Sequence, residues 1–163
     1  MNKFKYILFV LIASLVFVGC DEEDAISFSN SDAFVKFEAT QASGSEKGII
    51  KVVVQVSDVN RGGDVTVDFD FNVTDITNKA IAGEDFQVMN ASQTLTFPKG
   101  QYQDTIFIKP VDNDLLERDK SFNVVLKSNS ADYKMGLAAS TIGTNVTCTI
   151  TDDDHPLATW VGT

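Results

Sequence analysis

The chain has 163 residues, with 23 acidic and 13 basic side chains and a formal net charge of −10 at pH 7. A surface this acidic repels nucleic acid and anionic lipid and attracts cations, which excludes nucleic acid as a partner. The length suits a single domain with a sizeable core. One histidine and two cysteines leave little material for zinc or disulfide chemistry.

Residues 1–19 have the order of a secretory signal peptide, with two lysines followed by an apolar run from residue 6 to residue 18. The run is too short to cross a bilayer as a helix. Residues 17–20, which end in Gly19 and Cys20, resemble the lipobox at which bacterial lipoproteins are cleaved and lipidated. We therefore expect acylation at Cys20 and attachment to a membrane through the lipid. The alternatives are an ordinary signal peptide and an uncleaved anchor with a chance cysteine.

Residues 20–33 continue with four consecutive acidic side chains and then a stretch rich in serine and asparagine, which predicts an acidic flexible tether. An acidic run behind the cysteine resembles the surface-export signals of some Gram-negative lipoproteins. We therefore expect an outer-membrane lipoprotein displayed on the cell surface. In other lineages an aspartate directly after the cysteine, here Asp21, resembles an inner-membrane retention signal, and the periplasmic face is the alternative location.

From residue 33 onward, apolar and polar side chains alternate with a period of two, which is typical of strands that bury one face. Seven short strands are predicted, around residues 34–37, 50–56, 65–73, 94–97, 102–108, 122–126 and 146–150. Turns separate them, and no helical pattern of useful length is present. The pattern predicts an all-β fold, a seven-strand antiparallel immunoglobulin-like sandwich over residues 34–155. Cys148 alternates with the apolar residues of the last strand and is expected to be buried.

Acidic side chains gather where the predicted strands end. They are Glu46, Asp85, Asp112, Asp114, Glu117, Asp119 and Asp152 to Asp154. In an up-and-down sandwich, the 112–119 loop and the 152–154 run fall at the same end, so we expect them to lie close together. Carboxylates 4 Å apart repel by about 4 kcal/mol at an effective dielectric of about 20, and Ca²⁺ is the cation that prefers such oxygen ligands. The alternative is a set of solvated aspartate turns.

Four stretches, in order, resemble the Calx-beta domain, the calcium-binding module of sodium/calcium exchangers and of integrin β4. They are residues 82–86, 95–100, 112–126 and 149–155. The resemblance spans roughly residues 34–155. It implies a Ca²⁺ site formed by carboxylates, by the backbone carbonyl of Leu115 and by the Asn113 position, where the exchanger domains carry aspartate. The implied carboxylate ligands are Glu46, Asp85, Asp112, Glu117, Asp152, Asp153 and Asp154.

Two basic residues of the same region, Arg118 and Lys120, replace glutamates of the acid-rich stretch that the resemblance implies. Each change opposes negative charge near the site. We therefore expect fewer ions or weaker binding than in the exchangers, nearer the dissociation constants of about 10⁻⁴–10⁻³ M of extracellular calcium modules.

The favoured function is a non-enzymatic, calcium-stabilised display or adhesion module, whose extracellular protein or glycan ligand the sequence does not identify. An enzyme is disfavoured because the sequence has no nucleophile elbow, HExxH motif or phosphate loop. A glycosidase using Glu117 with Asp85 or Asp119 would need a cleft that so small a sandwich has little chain to build.

Residues 156–163, which carry the only tryptophan, are typical of the opening strand of a further β-domain or of a tail that packs on the sandwich. In the first case the chain is the N-terminal scaffold of a larger surface protein whose binding domain is missing. Calcium binding would then be weak or absent.

Overall fold

The computed structural model describes residues 32–58, 61–137 and 142–154. The predicted signal peptide, Cys20, nearly all of the predicted tether and residues 155–163 lie outside these ranges. Within the described residues, a helix with the length and apolarity needed to span a bilayer is absent.

The described residues form two five-stranded β-sheets with almost no helix. The strands are β1 (Phe34–Phe37), β2 (Gln41–Ser45), β3 (Ile50–Ser57), β4 (Val65–Asn72), β5 (Phe86–Val88), β6 (Thr94–Phe97), β7 (Gln103–Pro110), β8 (Lys120–Asn129), β9 (Lys134–Met135) and β10 (Asn145–Thr151). Sheet I has the order β5-β7-β3-β1-β9, and sheet II has the order β2-β10-β8-β4-β6.

The core lies between the two sheets, and the alternation seen in the sequence creates it. In β3, every second residue from Ile50 to Val56 is buried, while Lys51, Val53 and Gln55 are turned away from the core. Cys148 of β10 is fully buried, as predicted. Each large apolar side chain buried in this way stabilises the fold by about 1.5–3 kcal/mol. A shift of one residue in the register of a strand would turn its buried side chains away from the core, so the core depends on the observed register.

All seven predicted strands are present, but the predicted count is wrong for the described residues, because β2, β5 and β9 are additional. β5 has three residues and β9 has two, which is too short for an alternating pattern. β2 consists of small and polar residues and is held by backbone pairing with β10. The antiparallel prediction is also incomplete, since β1 pairs with β9 and β2 pairs with β10 in parallel.

Strand directions define two ends of the sandwich. Ile50, at the start of β3, pairs with Ile108 of β7, and Ser57, at its end, pairs with Phe34 at the start of β1. We call the end that carries residues 46–49, 85, 111–119 and 152–154 the acidic pole. The other end, where β1 begins, is the opposite pole.

Candidate metal centre

Parallel pairing of β2 with β10 brings the first two parts of the candidate site together. The two strands end side by side, with Ser45 opposite Thr151, and the Glu46 N–H donates to the Thr151 carbonyl oxygen over 3.2 Å. Glu46 follows β2 and Asp152 follows β10 directly. Acidic side chains from distant parts of the sequence therefore leave the sheet at the same edge.

Glu46 is the centre of a carboxylate cluster. One carboxylate oxygen from each of Glu46, Asp152 and Asp154 lies within 4.8 Å of the others, and the same holds for Glu46, Asp112 and Asp153. We call these five residues the Glu46 cluster. Glu46 is only 5% exposed, although it is ionisable. Carboxylates are rarely buried unless they are paired, so this environment requires compensation.

Three buried carboxylate oxygens in the Glu46 cluster have no hydrogen-bond partner. They are Glu46 Oε2, Asp153 Oδ1 and Asp154 Oδ2. Buried polar atoms in proteins are nearly always hydrogen-bonded, and leaving a charged one unpaired is costly. These three oxygens of one cluster are available to a positively charged ligand.

The pKa values of two carboxyl groups in the cluster are raised, which indicates that a nearby cation would be favourable. Burial raises the pKa of Glu46, the carboxylates of Asp152, Asp154 and Asp153 raise it further, and a hydrogen bond from the Asn113 backbone opposes the shift. Burial and the neighbouring aspartates also raise the pKa of Asp154. Each raised pKa shows that the ionised form is disfavoured in the folded protein, and a bound cation would reverse this.

Hydrogen bonds from backbone N–H groups to side-chain carboxylates hold the 112–119 loop against the 152–154 run, which confirms the predicted convergence. The Glu117 N–H donates to Asp152 Oδ2 over 3.0 Å, and the Asp152 N–H donates to Asp119 Oδ1 over 3.3 Å. Within the loop, the Leu115 N–H donates to Asn113 Oδ1 over 2.8 Å. The Leu115 side chain is exposed.

Lys47 provides an exposed ammonium at the edge of the Glu46 cluster. Its Nζ lies 3.1 Å from Asp153 Oδ2 and 3.8 Å from Asp112 Oδ1, and its side chain is 59% exposed. An exposed ion pair of this kind contributes little to stability. Lys47 can therefore move away at low cost when another cation approaches these oxygens.

The structure places Asp85 and Glu117, two of the implied ligands, in a second arrangement. Lys120 Nζ lies 2.8 Å from Asp85 Oδ1 and 2.7 Å from Glu117 Oε2. Asp85 Oδ2 also accepts the Ile81 N–H over 2.7 Å, which fixes the turn before β5. We call Asp85, Glu117 and Lys120 the Lys120 triad. The hydrogen bonds to Asp85 and Glu117 raise the pKa of Lys120, so this side chain stays protonated and positively charged.

All five acids of the Glu46 cluster are among the ligands predicted from the sequence, but the two lysine pairings are not. The sequence presents Lys120 only as a replacement for a glutamate. The position of Lys47 directly after Glu46 was the available signal, since it places an ammonium beside a predicted carboxylate ligand.

The donor atoms of the Glu46 cluster fit a hard divalent cation. All five side chains offer carboxylate oxygens, which Ca²⁺ and Mg²⁺ prefer. Asp112 is exposed and the three terminal aspartates are partly so, which leaves room for water to complete a coordination shell. Ca²⁺ accepts oxygen ligands in a flexible geometry, whereas Mg²⁺ demands near-ideal octahedral geometry.

Residues 29–154 match the family model of the Calx-beta domain, and the chain belongs to this family. No curated protein matches it. The structure resembles CBD12 from CALX1.2, with a TM-score of 0.59 and 25% identity over 75% of this chain and 46% of that one. It also resembles the calcium binding domain CBD12 of CALX1.1, with a TM-score of 0.56 and 26% identity over 74% of this chain and 46% of that one.

A third similar structure is the apo form of the Calx CBD1 domain, with a TM-score of 0.54 and 24% identity over 75% of this chain and 98% of that one. At this identity the likeness shows the fold alone. The chain spans about half the length of the CBD12 structures and nearly all of the single CBD1 domain.

Proposed function

We propose that this chain is a non-enzymatic module that binds calcium through the Glu46 cluster and is displayed on the bacterial cell surface by a lipid on Cys20. The observation that carries the calcium part is the buried, unpartnered Glu46 Oε2, which belongs to a carboxylate within 4.8 Å of those of Asp152 and Asp154. Membership of the Calx-beta family, and likeness to a structure named a calcium binding domain, support the same function.

A bound ion would act as a structural element of the acidic pole. Two groups of three carboxylates share Glu46. Asp152 and Asp154 would contribute oxygens from one group, and Asp112 and Asp153 would contribute oxygens from the other. Because these residues follow β2, β7 and β10, a shared ion would tie the ends of three strands together. An ion that binds only the native state stabilises it by mass action, by about 2.7 kcal/mol at 100 times its dissociation constant.

Thermal unfolding of the full chain in detergent tests the calcium site. We expect millimolar Ca²⁺ to raise the melting temperature relative to chelator, and Glu46→Gln to remove most of that rise. Glu84→Gln is the matched control, since Glu84 is exposed near the same pole. A wild-type melting temperature that is identical in calcium and chelator would contradict the proposal.

The surface-lipoprotein part rests on the sequence of residues 1–24 and needs its own test. We expect labelled palmitate to be incorporated into the wild-type protein and not into Cys20→Ala. Protease added to intact cells should remove the domain if it is displayed outside, and should leave it intact if it faces the periplasm. Absence of label in both proteins would contradict lipidation.

A second candidate is the N-terminal scaffold of a larger surface protein that binds its ligand through another domain. The composition of residues 156–163 favours this function, as does the greater length of the CBD12 structures. Two measurements distinguish this candidate from the first. Immunoblotting of the native cells should detect a product larger than this chain, and calcium should leave the melting temperature of this chain unchanged.

A further inference from the structure

An open groove lies on sheet I at the opposite pole, away from the Glu46 cluster. Its volume is about 500 Å³, within the range of about 300–1,000 Å³ that is typical of small-molecule sites. It is formed where β1 begins, β3 ends and β7 begins, and these strands are neighbours in the sheet. The side chains that give the groove its chemistry are Phe34, Gln55, Ser57, Asp58, Tyr102 and Gln103.

Two aromatic side chains provide apolar walls for this groove. Tyr102 is 47% exposed, and Phe34 is partly buried at the start of β1. The guanidinium carbon of Arg61 lies 5.5 Å from the centre of the Tyr102 ring, a distance at which a cation is attracted to the ring. Arg61 is itself buried, and its Nη2 donates to the Gln101 carbonyl oxygen over 2.6 Å. The Tyr102 ring is therefore held in place while about half of it stays open to a ligand.

The polar side chains of the groove are fixed by the sheet and by hydrogen bonds. Gln55 of β3 and Gln103 of β7 are directly opposite each other in the register, so their side chains are neighbours on one face. Each amide offers two donors and one acceptor oxygen. Asp58 is only 6% exposed, and its Oδ2 accepts a hydrogen bond from the Tyr133 hydroxyl. These groups are therefore arranged before a ligand arrives, which reduces the entropy lost on binding.

This combination of groups matches a neutral carbohydrate. The C–H groups of a sugar ring pack on aromatic side chains, and its hydroxyls exchange hydrogen bonds with amides and carboxylates. The described residues that line the groove include a carboxylate and no basic side chain, and the chain carries a net charge of −10, so sulfated or carboxylated glycans are disfavoured. A protein partner fits less well, since a stable interface uses about 20–30 residues a side and the groove has seven described lining residues.

We propose that this groove binds a neutral, hexose-based glycan. Tyr102 stacks on a sugar ring, and Gln55, Gln103 and Asp58 bind its hydroxyls. The inference deepens the display role proposed above by naming a class of ligand, and it rests on that role for access to glycans outside the cell. Because the groove and the acidic pole are at opposite ends of the sandwich, glycan binding does not require calcium.

An array of neutral hexose oligosaccharides, with sulfated and uronic-acid oligosaccharides as separate arms, tests the proposal. The full chain is kept in a detergent without a sugar headgroup, because an alkyl glycoside would compete for the groove. We expect binding to at least one neutral oligosaccharide, equally in calcium and in chelator. Isothermal titration with that oligosaccharide should show binding weakened about tenfold or more in Tyr102→Ala, as for a central aromatic contact. No binding on the array, or binding confined to the acidic arms, would overturn the proposal.

A matched control and a second variant keep the test decisive. Phe107→Ala removes an aromatic side chain of β7 that is 37% exposed and does not line the groove, and it should bind like wild type. If Tyr102→Ala fails to fold, the double variant Gln55→Ala, Gln103→Ala should weaken binding several-fold, because neither side chain belongs to the core. Wild-type affinity in the double variant would overturn the proposal.

The glycan site and the display role fail separately. A purified chain that binds the oligosaccharide, in cells whose domain resists external protease, contradicts surface display and supports the groove. A chain that external protease removes, and that binds no neutral oligosaccharide when purified, contradicts the groove alone.

Discussion

The ring of Phe86 is stacked on the ring of Phe122, with centroids 3.9 Å apart and planes inclined by 13°. Phe86 belongs to β5 of sheet I and Phe122 to β8 of sheet II, and both are fully buried. Phe71 of β4 contacts both rings at angles near 60°. Asp85 precedes the first ring and Lys120 lies two residues before the second. The stack therefore fixes the distance between the two sheets where the Lys120 triad forms.

Truncation of either ring should strongly destabilise the domain. We expect Phe122→Ala or Phe86→Ala to cost about 3–5 kcal/mol, because each removes a large buried side chain and leaves a cavity between the sheets. Phe107→Ala is the control, since Phe107 lies in β7 and is 37% exposed. Urea unfolding measures the difference. Equal losses in Phe86→Ala and Phe107→Ala would contradict a structural role for the stack.

The pKa of Glu46 predicts how stability depends on pH without calcium. Burial and the neighbouring aspartates raise the pKa of Glu46 above its ordinary value of 4.5, so the folded state binds a proton more tightly than the unfolded state does. The stability linked to this proton is present below the ordinary pKa and is lost as pH rises through the raised one. In chelator, Glu46→Gln should therefore flatten the pH dependence and melt no lower than wild type at pH 7.

Chemical denaturation of wild type and Glu46→Gln between pH 4 and pH 7 checks this expectation. Glu84→Gln, at an exposed position, should follow the wild-type curve. Saturating calcium should reverse the order at pH 7, with wild type then the more stable protein. A Glu46→Gln variant that is less stable than wild type in chelator would show that the carboxylate has a favourable partner within the chain.

Cys148 should report unfolding. Burial raises the pKa of its thiol to about 12, and the side chain is fully buried. In a Cys20→Ala chain at pH 8, a thiol reagent should react with Cys148 only as fast as the domain opens. Because the thiol is favoured over the thiolate in the folded state, stability should also fall as pH rises from about 9 towards 12.

An exposed cysteine provides the comparison for this measurement. Ala39→Cys, combined with Cys20→Ala and Cys148→Ala, places a single thiol at an exposed position, and it should react at the rate of a free thiol. If Cys148 labels equally fast in native conditions, then β10 opens locally without global unfolding.

Gly143 should be intolerant of a side chain. Its φ is +81°, its carbonyl accepts the Phe37 N–H over 2.6 Å, and a Cβ there would lie 3.2 Å from the Cβ of Lys36. We expect Gly143→Ala to cost about 1–3 kcal/mol, because alanine is strained at this φ. Gly63→Ala is the control, since a Cβ at Gly63 meets no atom within 4 Å. Thermal melting that treats the two variants alike would contradict the expectation.

The sequence was most informative where burial dictates residue type. In β3 and β4, alternate residues must be apolar to face the core, so the pattern predicts both strands. β2 escapes prediction because backbone pairing with β10 holds it, and backbone pairing leaves no mark on side-chain polarity. The convergence of the acidic loops follows from strand order and was predicted. The Lys120 triad was not, because Asp85 lies 35 residues from Lys120 in the sequence and only the folded structure shows that they pair.

Parallel pairing of β2 with β10 has a mechanical consequence. The described chain enters β1 at the opposite pole and leaves β10 at the acidic pole. Tension applied from outside these two points would slide β2 and β10 past each other, so their five residue pairs, from Gln41 with Thr147 to Ser45 with Thr151, would be loaded in shear. Hydrogen bonds loaded this way break together and not one after another. The domain should therefore resist stretching along the line that joins the start of β1 to the end of β10.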